Sequence, residues 1–201
     1  MNISRDRLKL RDFTPLRSEL EVAQQLNDLK SRFDIDEAGH IVTVHVRDRL
    51  TDEHVHLVRA LKKLTAYSST NNPIAAAGIS DSGMADLLLH PGLADVICHG
   101  NLRLTGQFFD SVRRSPSIKR IGVPYSPITD ASLALARNCS LSHLSVRGSK
   151  ISDASVDNLC SMRSLSQIHV KQTCISPFGL KRLRDALPDC WIDMLDRPND
   201  G

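Results

Sequence analysis

An aliphatic residue followed by Thr or Ser recurs at near-regular spacing along this chain. The anchors are Leu50, Ile79, Leu104, Ile128, Ile151 and Ile175, spaced 29, 25, 24, 23 and 24 residues apart. A period this short is below domain size, so each unit must bury its apolar face against its neighbours in a stacked array. Thr51, Ser80, Thr105, Thr129, Ser152 and Ser176 follow the anchors, and Asp52, Asp81, Asp130 and Asp153 come next, with Gly106 and Pro177 as departures. Five past each anchor stand Val55, Met84, Phe109, Leu133, Val156 and Leu180; eight past stand Val58, Leu87, Val112, Ala136, Leu159 and Leu183. Columns three residues apart share one helix face. The Ser or Thr suits an N-cap, and the Asp suits the positive end of a helix dipole. Each unit therefore predicts a capped helix of two to three turns.

Before each anchor runs a second pattern, apolar at relative positions 1, 4 and 6. It reads Ile41, Val44, Val46; Leu64, Tyr67, Ser69; Leu93, Val96, Cys98; Ile118, Ile121, Val123; Leu141, Leu144, Val146; and Leu165, Ile168, Val170. Ser69 is the one polar member. Positions 4 and 6 alternate as one face of a strand does. The sequence from Leu141 through Leu144 and Val146 to Ile151 resembles the leucine-rich repeat, LxxLxLxxNxL, and the helix-bearing unit resembles its ribonuclease-inhibitor-like branch. "ITDASLALA" and "ISDASVDNL" are similar to a bacterial variant with Thr/Ser-Asp-Ala helix starts, and "GLKRLRDALPDCWID" to that group's terminal unit. Asn stands at the ninth position only as Asn72 and Asn101; Ser126, Ser149 and Thr173 replace it elsewhere. The resemblance implies an α/β solenoid of about six repeats. Its curved parallel sheet lines the concave face and its helices the convex one.

A stacked sheet leaves open edges at both ends, so terminal units must be atypical. Residues 1–40 are read as a helical cap and first strand, with Leu16, Leu20, Ala23, Leu26, Leu29 and Phe33 at helical spacing. "RFDIDEAGHIVTVHV" reads as strand, turn at Glu37 to Gly39, strand. Residues 41–193 hold the repeats and a C-terminal cap, where Trp191, Ile192 and Leu195 are expected to cover the last repeat. Residues 194–201 are a tail.

Charge is close to balance, with 26 Lys plus Arg against 23 Asp plus Glu. That is too mild to point to nucleic acid, and 4% aromatic content leaves few stacking platforms. No apolar run nears the roughly 18 residues of a membrane span. The charged stretch Met1 to Asp12 lacks the apolar core of a secretory signal. Five scattered cysteines (Cys98, Cys139, Cys160, Cys174, Cys190) form no CxxC pair, which fits a reducing cytoplasm.

No GxGxxG, P-loop, HExxH or GxSxG occurs. Asp52, His54 and His56 look ligand-like in "TDEHVHL", yet Asp52 is the repeat's helix-start Asp, and residues two apart on a helix do not face each other. Cys98 falls on an interior strand position, where cysteine acts as a small hydrophobe. No catalytic residue, metal site or cofactor is expected.

Binding has more behind it. Positions 3, 5 and 7 of each strand point away from the core. Position 7 reads Arg47, Thr70, His99, Pro124, Arg147, Lys171; position 3 reads Thr43, Ala66, Asp95, Arg120, His143, Gln167; position 5 adds His45 and His169. Asp95 is the only acid in these rows. The expected contact residues are Arg47, His99, Arg120, His143, Arg147, His169 and Lys171, facing a protein partner with an acidic or phosphorylated segment. The alternative is a structural or assembly subunit that packs through its convex helices or ends. The insertion Asn71 to Gly78, "NNPIAAAG", is a second candidate surface, and "RRSPS" at 113–117 resembles a phosphosite but reads as a turn.

Overall fold

The strand pattern folds into one sheet whose spatial order follows the chain. The computed structural model describes residues 14–47, 49–71 and 78–193. A helix, α1 (Leu20–Asp28), precedes the hairpin of β1 (Arg32–Ile35) and β2 (Ile41–Arg47). Then strands β3 (Ala66–Thr70), β4 (Asp95–His99), β5 (Arg120–Gly122), β6 (His143–Ser145), β7 (Gln167–His169) and β8 (Trp191–Asp193) each add one rung. The eight strands lie in the order β1 to β8; β1 runs antiparallel to β2, and all other neighbours are parallel.

The register keeps the sequence columns intact. Val44, Tyr67, Val96, Ile121, Leu144, Ile168 and Ile192 stand in one row facing the core. Every residue at positions 1, 4 and 6 is buried, Ser69 included. The anchors are buried with them, and one apolar cluster runs from Ala23 to Ile192.

The helices between strands are α2 (Val55–Arg59), α3 (Asp81–Leu87), α4 (Phe109–Val112), α5 (Asp130–Leu133), α6 (Val156–Ser161) and α7 (Pro177–Ala186). All but α7 are shorter than the two to three turns expected. Three are flanked by tighter 3₁₀ turns at Asp52–His54, Ala134–Ala136 and Asp153–Ser155. A unit of about 24 residues must also hold a strand and two reversals, and 3₁₀ turns close the ends of such short helices. The N-terminal lid is also shorter than its apolar spacing implies: only Leu20–Asp28 is helical, and Phe33 belongs to β1.

Ser80, Thr129, Ser152 and Ser176 accept N–H groups of the turns they open. Thr105 departs, since α4 starts only after Phe108. The Asp after the cap does more than meet a dipole: it reaches into the next repeat. Asp52 accepts from the Ser80 amide and hydroxyl, both at 2.7 Å. Asp81 does the same for Thr105 (3.1 and 2.6 Å), Asp130 for Ser152 (both 2.8 Å) and Asp153 for Ser176 (2.7 and 2.6 Å). The chain of carboxylates skips one joint, because Gly106 occupies the Asp position before Thr129.

Each strand ends in a regular reversal. The amides of Asn71, Gly100, Tyr125 and Gly148 donate to the carbonyls of His99, Pro124, Arg147 and Lys171 in the next repeat. Gly100 and Gly148 adopt left-handed backbone there (φ +68° for both), and so do Tyr125 and Gln172 (φ +60° for both) at the equivalent position. Asn101 sends its side-chain amide to the Ile79 carbonyl at 2.8 Å, and Thr173 donates to the Val170 carbonyl at 2.7 Å. The Ser126 and Ser149 hydroxyls are buried without a partner, so the Asn row is incomplete. Asn72 lies outside the described residues.

Candidate functional site

With positions 1, 4 and 6 turned inward, period two puts positions 3, 5 and 7 on the open face of the sheet. The position 3 row runs Thr43, Ala66, Asp95, Arg120, His143, Gln167, Trp191, and the position 5 row His45, Ser68, Ile97, Gly122, Ser145, His169, Asp193.

Over β4–β7 these rows form a trough of two adjoining hollows, of about 100 and 330 Å³. Ile97, Gly122, Ser145 and His169 line both. Gly122 supplies the depth: an added Cβ would lie 3.5 Å from Ile97 and from Ser145, in ordinary contact. Asp95, Arg120, His143 and Gln167 line the first hollow. His99, Pro124, Tyr125 and Arg147 line the second. Of the seven expected contact residues, His99, Arg120, His143, Arg147 and His169 thus meet at one trough. Lys171 sits beside Arg147 in the reversal row, and its amide donates to Asp193 at 3.2 Å. Arg47 stands apart, over the β1–β3 end.

The charge balance differs from the rows read alone. Arg120 pairs with Asp95 at 3.2 Å, while the other oxygen of Asp95 is buried without a hydrogen-bond partner. His169 faces Asp193 at 3.2 Å, and His45 faces Asp34 at 3.4 Å. Asp34 and Asp193 come from the two terminal strands and add acids to a face where the repeats alone supply one. Arg147 instead meets neutral groups. Its Nε donates to Gln172 at 3.0 Å, and its guanidinium lies 5.7 Å from the Tyr125 ring centre. The Tyr125 hydroxyl donates to the same Gln172 oxygen at 2.8 Å, and His99 packs against the ring at 5.1 Å.

Tyr125 and Gln172 hold this rim from left-handed backbone, a conformation that costs a non-glycine residue about 1–3 kcal/mol. Gly148 makes room beneath, since a side chain there would run into the Tyr125 ring. Neither Tyr125 nor Gln172 stands out in the sequence, which shows only that glycine is missing from four of six equivalent positions.

The ligand-like trio of the first repeat is dispersed. Asp52 serves Ser80 and also Arg103 at 3.3 Å, His54 bonds Thr51, and His56 bonds the Glu53 carbonyl. Burial pushes the Cys98 thiol up to about 12 and that of Cys139 to about 11, far from thiolate formation at neutral pH. Ser115 of "RRSPS" is buried and donates to the Ser111 carbonyl, so the segment is a closed turn. Among the described residues no helix is long and apolar enough to cross a membrane. Most of the insertion (72–77) lies outside the described residues, as does Leu195.

Among solved structures the chain is similar to an internalin from Listeria monocytogenes, at 17% identity and a TM-score of 0.50. The match covers 70% of this chain and 38% of that one. The fold is a leucine-rich-repeat solenoid. The likeness is one of architecture, and this solenoid spans well under half the length of the internalin it resembles. No protein-family model matches the sequence, and no curated protein does.

Proposed function

We propose that the solenoid is a non-catalytic protein-interaction module that binds a partner segment in the trough over β4–β7. The trough itself carries this reading: apolar Ile97, a notch at Gly122, a paired Asp95–Arg120, and a strained rim presenting Arg147. Concave, partly apolar surfaces with a few placed polar groups are where ligands seat. A segment with carboxylates or phosphates suits the rim, because Arg147 has no carboxylate partner among the described residues and arginine takes such groups bidentately. A sheet stacked this rigidly loses little freedom when it binds. We also read the helix-bearing units as ribonuclease-inhibitor-like, on the helix that follows every repeat strand, and place the protein in a reducing compartment on its scattered thiols.

Affinity capture from native lysate with wild type and with Arg120→Glu/Arg147→Glu/Lys171→Glu tests the proposal. A protein retained by wild type and lost by the folded variant supports it, and equal recovery overturns it. A second reading, assembly through the convex helices or ends, is favoured by the exposure of Phe178 (69%) and Trp191 (55%) near the C-terminal end. Recovery unchanged by the charge reversal but lost in Phe178→Ser would establish that reading.

A further inference from the structure

Outside the trough, the opposite end of the open face holds a second concavity of about 500 Å³, lined by Lys30, Arg32, His45, Val46, Arg47, Ser68 and Thr70. Every lining residue but Val46 brings a hydrogen-bond donor, and none is an acid. The topology creates this grouping. In the β1–β2 hairpin Arg32 stands opposite His45, while Lys30 just before β1 and Arg47 at the end of β2 flank that pair on the same side. Ser68 and Thr70 extend the lining onto β3 in register with His45 and Arg47.

The acid on this face at this end is Asp34, and its carboxylate is already engaged by the Thr43 hydroxyl and by His45 at 3.4 Å. Among the described residues the side chains of Lys30, Arg32 and Arg47 meet no carboxylate and make no hydrogen bond. Like charges gathered across a strand pair repel. Three cations that meet no carboxylate among the described residues stand around one hollow, an arrangement whose repulsion a multiply charged anion relieves.

We propose that this concavity binds a phosphate monoester dianion. A carboxylate brings one charge; a phosphoryl group brings about −1.5 to −2 and three acceptor oxygens, which suits two guanidinium forks, an ammonium and the Thr70 hydroxyl, while the Ser68 hydroxyl is held by His45 at 2.6 Å. The site is separate from the trough and does not depend on what the trough binds. The phosphoryl group can belong to a phosphorylated protein segment or to a small phosphorylated metabolite, and the two sources share the chemistry read here.

The test is a titration of the full ¹⁵N-labelled chain with inorganic phosphate at constant ionic strength, followed by amide shifts. Saturable shifts at Arg32, His45 and Arg47 are expected, with affinity falling about tenfold or more in Arg32→Gln/Arg47→Gln, in line with the loss of charge-assisted hydrogen bonds. Arg59→Gln, whose guanidinium pairs with Asp86 on the helix side, should leave the titration unchanged. Parallel titrations with a phosphoserine peptide and with a hexose phosphate separate the sources, the tighter binder naming the carrier. Shifts that never saturate, that chloride reproduces, or that persist unchanged in the folded double variant would overturn the site.

Discussion

Asp130 shows how much one carboxylate does in this molecule. It takes the amide and hydroxyl of Ser152 at 2.8 Å each and the hydroxyl of Ser155 at 2.5 Å, joining two repeats 22 residues apart. Desolvation alone would raise its pKa, but the Ser152 and Ser155 bonds outweigh it and hold the carboxyl below its ordinary value. The Asp153 carboxyl is lowered chiefly by the Ser176 hydroxyl, then by the Ser176 amide. A lowered folded pKa contributes stability that is whole above the ordinary carboxylate value and is lost as pH falls through the folded one. Urea unfolding across the acid limb should therefore show Asp130→Ala losing about 1–3 kcal/mol near neutrality. The variant should also have a flatter acid limb than wild type. The sequence displays the Asp beside four of the six caps and its dipole role, but not its partner, because that partner belongs to the next repeat. Gln172 makes a complementary case. Gln172→Gly should keep or raise the urea midpoint, since glycine suits φ +60°, yet release Tyr125 and Arg147 and weaken partner capture. A large loss of stability would contradict the view that the strain at this rim serves binding.

At the scale of elements, the carboxylate row also dictates small residues on the helix that receives it. A side chain on Gly83 would run into the Asp52 carboxylate, and one on Gly179 into that of Asp153, while Ser155 fits by hydrogen-bonding Asp130. Gly83→Ala should cost about 1–3 kcal/mol by overpacking. Gly122→Ala, in open contact on the trough floor, should leave thermal unfolding nearly unchanged. Strand rows were legible because period two survives variation in residue type. Helix lengths were not: the apolar columns five and eight past each anchor specify which face is buried, not how far the helix runs. The trough was legible in its cations but not in its balance. Asp34 and Asp193 sit on terminal strands whose residues read as caps, and only the register sets them beside His45 and His169.

Over the whole molecule, each repeat packs chiefly against its neighbours, with Tyr125–Gln172 and Asp52–Arg103 reaching one unit further, so stability is distributed along the stack. Hydrogen exchange should find the slowest amides in β4–β6, with β8 and α1 opening earlier. Uniform protection from end to end would contradict this picture. The same stacking makes the open face a continuous surface with two differently charged ends, the partly paired trough and a basic concavity whose cations meet no carboxylate among the described residues. Side-chain footprinting of the chain with its captured partner tests the central claim most directly. The account predicts that Tyr125, Ile97 and His99 lose reactivity while Phe178 and Leu89 on the helix side keep theirs. Protection of Phe178 and Leu89 with Tyr125 still reactive would contradict it.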